Sequence, residues 1–334
     1  MLLSRHTRRR EFVSLLGGAA ATTWPLGARA QQPMPVIGFL HAGAPEANAN
    51  NVRAFRKGLG ETGHVEGSNV SIDFQWAYGD LARYKELVAE LVRRQVAVIV
   101  TPLGTTAALA AKAATTTIPI VFSSGTDPVQ VGLVPSLKRP GGNVTGVNYM
   151  QSELGAKRLG LLHEMVPLAS RFALLVNPTN LVAAEATIKE VGTAAVAIGR
   201  QVDVVKAATA PEIEAAFGKI APNQVEALAV APDPLFFDRA VLIVMLAARY
   251  ALPAIYGPRE FVDAGGLMSY GASNKERYRQ VGIYVGRILK GEKPADMPII
   301  QPTKFELVLS LPTARMIGIA VPPSLLAQAD EVIE

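Results

Sequence analysis

From residue 35 onward, short apolar runs alternate with stretches of helical periodicity. Residues 36–40 read as a strand, 47–62 as a helix ending at Gly63, and 70–76 as a strand of alternating polarity. In 81–94, Leu81, Tyr84, Leu87, Val88 and Leu91 recur every three or four positions, which puts them on one face of an amphipathic helix. Residues 96–100 and 118–122 are continuous apolar runs of strand length, the pattern of strands covered on both faces. Between them 105–114 reads as an Ala-rich helix, and 144–147 as a short strand after the Pro140-Gly141-Gly142 turn. The alternation then restarts with helix 154–165, strand 172–176, helix 181–198 and strand 201–205. Pro211 opens a helix to Ile220, a position where its missing N–H has no partner to lose. Strand 227–230, helix 236–250, strands 254–256 and 266–269, helix 275–289 stopped by Gly291, and a final strand at 305–311 follow, before a short helical tail.

Strands alternating with helices at this spacing predict an α/β chain of parallel sheets flanked by helices. A dozen strands are many for one sheet, so two sheets of about five or six are expected. No repeat at a solenoid period is visible, and no Gly/Ser-rich linker divides the halves. Two domains joined by short crossings, a hinge architecture, are therefore expected.

Composition narrows the function. The chain has 334 residues, 49% hydrophobic and 18% charged, enough for sizeable cores and incompatible with disorder throughout. The absence of cysteine excludes disulfides, thiolate metal sites, a Cys nucleophile and a lipid-modified N-terminal Cys. The net charge of +5 suggests nucleic acid until it is located. Residues 1–30 hold Arg5, Arg8, Arg9, Arg10 and Arg29 against Glu11, a charge of +4 that leaves +1 for the rest. This segment has the order of an export signal: a basic start, an apolar middle over 12–26, and Ala28-Arg29-Ala30 before Gln31, with cleavage expected after Ala30. Arg9-Arg10-Glu11-Phe12-Val13 resembles a twin-arginine signal, with the general secretion route open beside it. No later stretch offers about 18 uninterrupted apolar residues. A mature protein free in the periplasm, without nucleic acid as partner, is expected.

Catalytic motifs find little support. Gly58-Leu59-Gly60-Glu61-Thr62-Gly63 matches G-x-G-x-x-G, but it ends a helix and precedes a strand, whereas a dinucleotide fingerprint follows a strand and opens a helix. A helix C-cap and turn is the reading that fits. His41, His64 and His163 share no metal-ligand spacing, and there is no G-x-S-x-G elbow. No metal, no cofactor and no enzymatic activity are expected.

Small polar residues do gather at the carboxyl ends of the expected strands, where open parallel sheets bind ligands. These candidates are His41 after the first strand, then Thr101, Gly104, Thr105 and Thr106 after the third, and Ser123, Thr126 and Asp127 after the fourth. The second half contributes Asn177, Asp233, Tyr256, Glu260 and Tyr270. Hydroxyls and N–H groups at helix starts suit a carboxylate. Asp127, Asp233 or Glu260 suits an ammonium, and Tyr256 and Tyr270 suit an apolar side chain. Ser, Thr and Asp are also the usual helix N-caps, so for any single residue the capping role competes. The recurrence on both halves is what favours a shared cleft.

Several runs resemble a known family. They are Val65-Glu66-Gly67-Ser68-Asn69-Val70, Ile118-Pro119-Ile120-Val121-Phe122 through Thr126-Asp127-Pro128-Val129, and Lys138-Arg139-Pro140-Gly141-Gly142-Asn143-Val144-Thr145-Gly146-Val147. With Leu289-Lys290-Gly291-Glu292-Lys293-Pro294 and Phe305-Glu306-Leu307-Val308, they resemble the tryptophan/tyrosine-type ABC transporter substrate-binding proteins over roughly residues 35–320. The resemblance implies a type I periplasmic-binding-protein fold, with two Rossmann-like lobes, three crossings and a ligand between the lobes. It implies a first lobe of 35–147 with 264–291 and a second of 148–263 with 292–334. It implies that Thr101, Thr105, Thr126, Asp127, Asn177, Asp233 and Glu260 contact an amino acid or other small carboxylate. The implied partners are that solute and an ABC permease in the inner membrane, for a monomeric receptor. A periplasmic sensor serving a receptor kinase or chemoreceptor stays open, since it uses the same closed form.

Overall fold

The structure, a computed structural model, describes residues 34–151, 154–220 and 225–334. The export signal expected over 1–30 lies outside these residues. The first sheet holds β1 (Val36–His41), β2 (Ser71–Trp76), β3 (Val98–Thr101), β4 (Ile120–Ser124) and β5 (Val144–Asn148), all parallel, in the order β2-β1-β3-β4-β5. Its helices are α1 (Ala49–Glu61), α2 (Tyr84–Arg93) and α3 (Thr105–Ala114). The second lobe contributes α4 (Gly155–Met165), β6 (Arg171–Val176), α5 (Leu181–Ala197), β7 (Gln201–Lys206), α6 (Ala210–Ile220) and β8 (Ala227–Val230). It continues through α7 (Pro234–Asp238), α8 (Ala240–Arg249), β9 (Ala254–Tyr256), α9 (Glu260–Asp263) and β10 (Met268–Gly271). After α10 (Asn274–Leu289) come β11 (Glu306–Ser310), α11 (Leu311–Met316), α12 (Pro323–Gln328) and β12 (Glu331–Ile333). The second sheet runs β12-β11-β10-β9-β8-β6-β7.

The continuous apolar runs are explained by cover on both faces. In β3, Ile99 packs with α2 and α3, while Val98 and Val100 pack with α1 and α10. In β6, Phe172, Leu174 and Val176 meet α4 and α5, while Ala173 and Leu175 meet α6 and α8. Each such Val, Leu, Ile or Phe stabilises the fold by about 1.5–3 kcal/mol relative to leaving it in water. The chain passes between the lobes three times: after β5, between β10 and α10, and between Ile300 and β11.

Several expectations differ from this architecture. The resemblance implies a return to the first lobe at 264, but β10 pairs with β9 and β11 in the second sheet, and the segment packed on the first sheet begins with α10. Met297 and Ile299 also stay in the first lobe's cores, so that segment extends beyond 291. The sheets hold five and seven strands, and the second is not all parallel: β10 and β11 pair antiparallel. The helix expected over 236–250 breaks at Arg239 into α7 and α8, because Asp233 caps a separate short helix through Leu235 N at 2.9 Å. The tail adds the strand β12.

The G-x-G-x-x-G match has a packing explanation. Gly58 and Gly282 let α1 and α10 touch backbone to backbone: a Cβ on Gly58 would strike the Arg279 carbonyl, and one on Gly282 the Phe55 carbonyl. Gly63, at φ +85°, turns the chain out of the helix, a conformation glycine adopts without strain.

Candidate functional site

In both sheets the strand order reverses, between β1 and β3 in the first and between β6 and β8 in the second. Loops leaving neighbouring strands in opposite directions open a crevice at their carboxyl ends. The two crevices face each other, and their side chains build a polar cleft between the lobes.

On the first lobe, Gly104 precedes α3 at φ +105° and supplies no side-chain cap, so the first N–H groups of α3 are left for other partners. The Thr105 hydroxyl lies 2.8 Å from both Ser124 Oγ and Thr126 Oγ1, and Ser124 Oγ donates to the Thr126 carbonyl at 2.7 Å. On the second lobe, Asp233 accepts from Asn177 Nδ2 at 2.9 Å, Asn180 Nδ2 at 2.8 Å and Leu235 N at 2.9 Å. Burial pushes the Asp233 carboxyl above the usual range, and these hydrogen bonds oppose the shift. Thr106 Oγ1 donates across the cleft to Asn180 Oδ1 at 3.2 Å. A cavity of about 20 Å3 remains between Thr105, Thr126, Tyr149, Asn180 and Asp233.

A second small cavity, about 40 Å3, lies beside it and shares Phe237. There Asp238 of the second lobe accepts from Ala44 N at 2.8 Å and Asn48 Nδ2 at 3.1 Å of the first. Asn274, at the start of α10, donates to Glu260 Oε1 at 3.1 Å. Arg277 also lines this cavity, with its guanidinium 4.0 Å from the centre of the Tyr149 ring. Both cavities are near the volume of a single water, about 30 Å3.

The expected residues therefore fall into groups. Gly104, Thr105, Thr126 and Asp233 line the first chamber, Thr106 and Asn177 hydrogen-bond to its wall residues Asn180 and Asp233, and Glu260 edges the second. Asp127 spends a carboxylate oxygen on its own turn, accepting from Val129 N at 2.8 Å, the capping role weighed against a ligand role. Thr101 and Ser123 are buried with unpartnered hydroxyls near the strand ends. Tyr256 lies inside the second lobe, stacked on Phe261 at 4.5 Å, apart from both chambers. Tyr270 packs against Phe305, and its carbonyl accepts from Arg158 Nε at 2.8 Å.

His41 faces the core of the first lobe. Its Nδ1 accepts from Gly43 N at 3.0 Å, so Nε2 carries the hydrogen and donates to the Tyr278 hydroxyl at 2.7 Å. Burial, aided by the Arg277 charge, pushes the imidazole down to about 3. Sequence reasoning missed Tyr149, Asn180, Asp238 and Arg277. Tyr149 and Asn180 lie next to strand or helix ends and were within reach of the same loop argument. Arg277 sits inside a helix with no spacing that marks it.

No group of three or more metal-ligating side chains occurs among the described residues, and no helix among them is long and apolar enough to cross a membrane. The family model for ABC transporter substrate binding proteins matches residues 43–333. A tyrosine-binding protein of Clostridioides difficile (strain R20291) is 26% identical over 264 residues, covering 79% of this chain and 75% of that protein. Among solved structures, the ABC domain from Streptococcus pneumonia in complex with L-Trp superposes with a TM-score of 0.80 at 25% identity, over 90% of this chain and 99% of that one. A conserved domain protein from Vibrio cholerae O1 biovar El Tor superposes with a TM-score of 0.82 at 24% identity, with the same coverage.

Proposed function

The chain belongs to the ABC transporter substrate-binding protein family, a family of binding proteins and not of enzymes, and from that membership we propose that it is the periplasmic receptor of an importer. It captures a small solute, an amino acid or other small carboxylate, by closure of its two lobes. It is exported by the signal expected over 1–30 and delivers its solute, as a monomer, to a permease in the inner membrane.

The observation that carries this reading is the cleft built from both lobes. Thr105, Ser124 and Thr126 stand on one side, and Asn177, Asn180 and Asp233 on the other. Thr106 to Asn180, Asp238 to Ala44 and Asn48, and Asn274 to Glu260 join the lobes by direct hydrogen bonds. Bonds of this kind form only when the lobes meet, so a solute that also touches both sides shifts the open–closed equilibrium toward closure. The open N-terminus of α3 favours a negative group on the solute. The tyrosine-binding relative and the L-Trp complex support an amino acid as the solute class.

Calorimetry with a panel of amino acids, small carboxylates and sugars tests the proposal, with native mass spectrometry of freshly purified protein to identify any retained solute. Saturable binding of at least one amino acid or carboxylate is expected. Tight binding of a sugar with no response to any carboxylate would refute the solute class.

A further inference from the structure

Two arginines lie buried at the junction of the lobes, and they are treated differently by their surroundings. Arg158 is 3% exposed and fully engaged: Nε donates to the Tyr270 carbonyl, Nη1 to the Gln151 carbonyl and Nη2 to Gln151 Oε1. Arg277 is 4% exposed, yet its buried Nε and Nη1 have no hydrogen-bond partner, and it makes no salt bridge among the described residues. Its guanidinium lies over the ring faces of Tyr149, at 4.0 Å, and Tyr278, at 4.9 Å. Removing a full charge from water without a counter-ion is strongly unfavourable, and stacking on aromatic rings compensates only a fraction of that cost.

Two carboxylates line the same cavity, and neither forms a salt bridge with Arg277 among the described residues. Asp238, across the same cavity, is held by Ala44 N and Asn48, and Glu260 by Asn274. Arg277 therefore presents a planar fork of donors, pinned from behind by two rings, to a cavity walled on its other side by Phe237 and Phe261 of the second lobe. A guanidinium fixed in this way matches the two oxygens of a carboxylate.

We propose that Arg277 is the anion-reading residue of the cleft and that the solute bears a carboxylate which pairs with its guanidinium. This deepens the receptor reading above and rests on it. It also couples binding to closure, because Arg277 belongs to α10 of the first lobe while Phe237 and Phe261 come from the second. The unpaired charge leaves the solute-free protein less stable than an apolar residue would, a cost that the arriving anion removes.

The test compares solute-free wild type, Arg277→Met and Arg277→Lys by thermal denaturation and by calorimetry. L-tryptophan, L-tyrosine and benzoate are the carboxylate probes, and L-tryptophanamide and glucose are the probes without a carboxylate. Solute-free Arg277→Met is expected to melt higher than wild type, because the uncompensated charge is gone. Any carboxylate that binds wild type is expected to bind this variant roughly tenfold or more weakly, the loss typical of a charge-assisted pair. Arg277→Lys is expected to recover part of that affinity, since it restores charge without the fork. If Arg277→Met melts lower and binds carboxylates as wild type does, Arg277 is a structural stack and the proposal fails. If wild type binds L-tryptophanamide or glucose, and Arg277→Met binds it equally well, the proposal fails while the receptor reading survives. If wild type binds none of the amino acids, carboxylates or sugars offered, the receptor reading fails too.

Discussion

His41 closes β1, where its position in the chain points to solute contact, but its ring is stacked 6.0 Å from Phe39 and tied to Gly43 and Tyr278. Its neutral form is part of the core. As pH falls from the ordinary imidazole value of 6.5 toward about 3, the unfolded chain takes up a proton that the folded protein does not. Stability present above pH 6.5 is therefore lost across that window. Between pH 7 and pH 4, His41→Gln is expected to lose roughly 3 kcal/mol less than wild type. Urea denaturation at the two pH values measures this, and equal losses would show that His41 does not govern acid stability. Residue identity at strand ends picked out Thr105, Thr126, Asn177 and Asp233, which the structure gathers around the space between the lobes. It did not separate a solute contact from a local cap, as at Asp127, or from a core contact, as at His41 and Tyr256. Those roles depend on which partner the side chain finds, and the partners of His41 and Asp233 lie 237 and about 55 residues away along the chain.

The contact between α1 and α10 is where elements, more than residues, decide stability. Gly58→Ala places a methyl group against a backbone carbonyl that has no rotamer to escape into. It is expected to destabilise the protein by about 1–3 kcal/mol. Gly60→Ala, on the same helix with open space around it, is expected to stabilise by up to about 1 kcal/mol through helix propensity alone. Chemical denaturation of both variants checks the pair, and similar effects at the two sites would contradict close packing at Gly58. Periodicity made most elements legible, because a strand or helix buried on a given face must repeat its apolar residues at the matching period. It did not reveal the break at Arg239, where the apolar pattern runs on across two helices. Nor did it assign β10 to its sheet, since pairing is a relation between strands that a local pattern does not encode.

At the scale of the whole molecule, Gly43 marks how closely the lobes meet. A Cβ there would lie 2.5 Å from Asp238 Oδ1, and the Asp238 carboxylate is held in place by Ala44 N and Asn48. Gly43→Ala is expected to break this latch and favour separated lobes, with little effect on the cores within each lobe. Small-angle scattering of the solute-free variant should give a larger radius of gyration than wild type, with a nearly unchanged unfolding temperature. An unchanged radius would show that the latch does not set the lobe separation.

What the sequence determined by itself was the α/β class, the two-lobed plan and the loops that would face a cleft, because hydrophobic period, turn residues and strand-end polarity are local properties. What only the tertiary structure decided was which of those polar residues face each other and which charge is left without a partner. Asp233 finds Asn177 and Asn180, Asp238 finds Ala44 and Asn48, and Arg277 finds two aromatic rings and, among the described residues, no salt-bridge partner. Burial and pairing arise only when distant segments share one volume of space, and that is where the chemistry of this cleft is set.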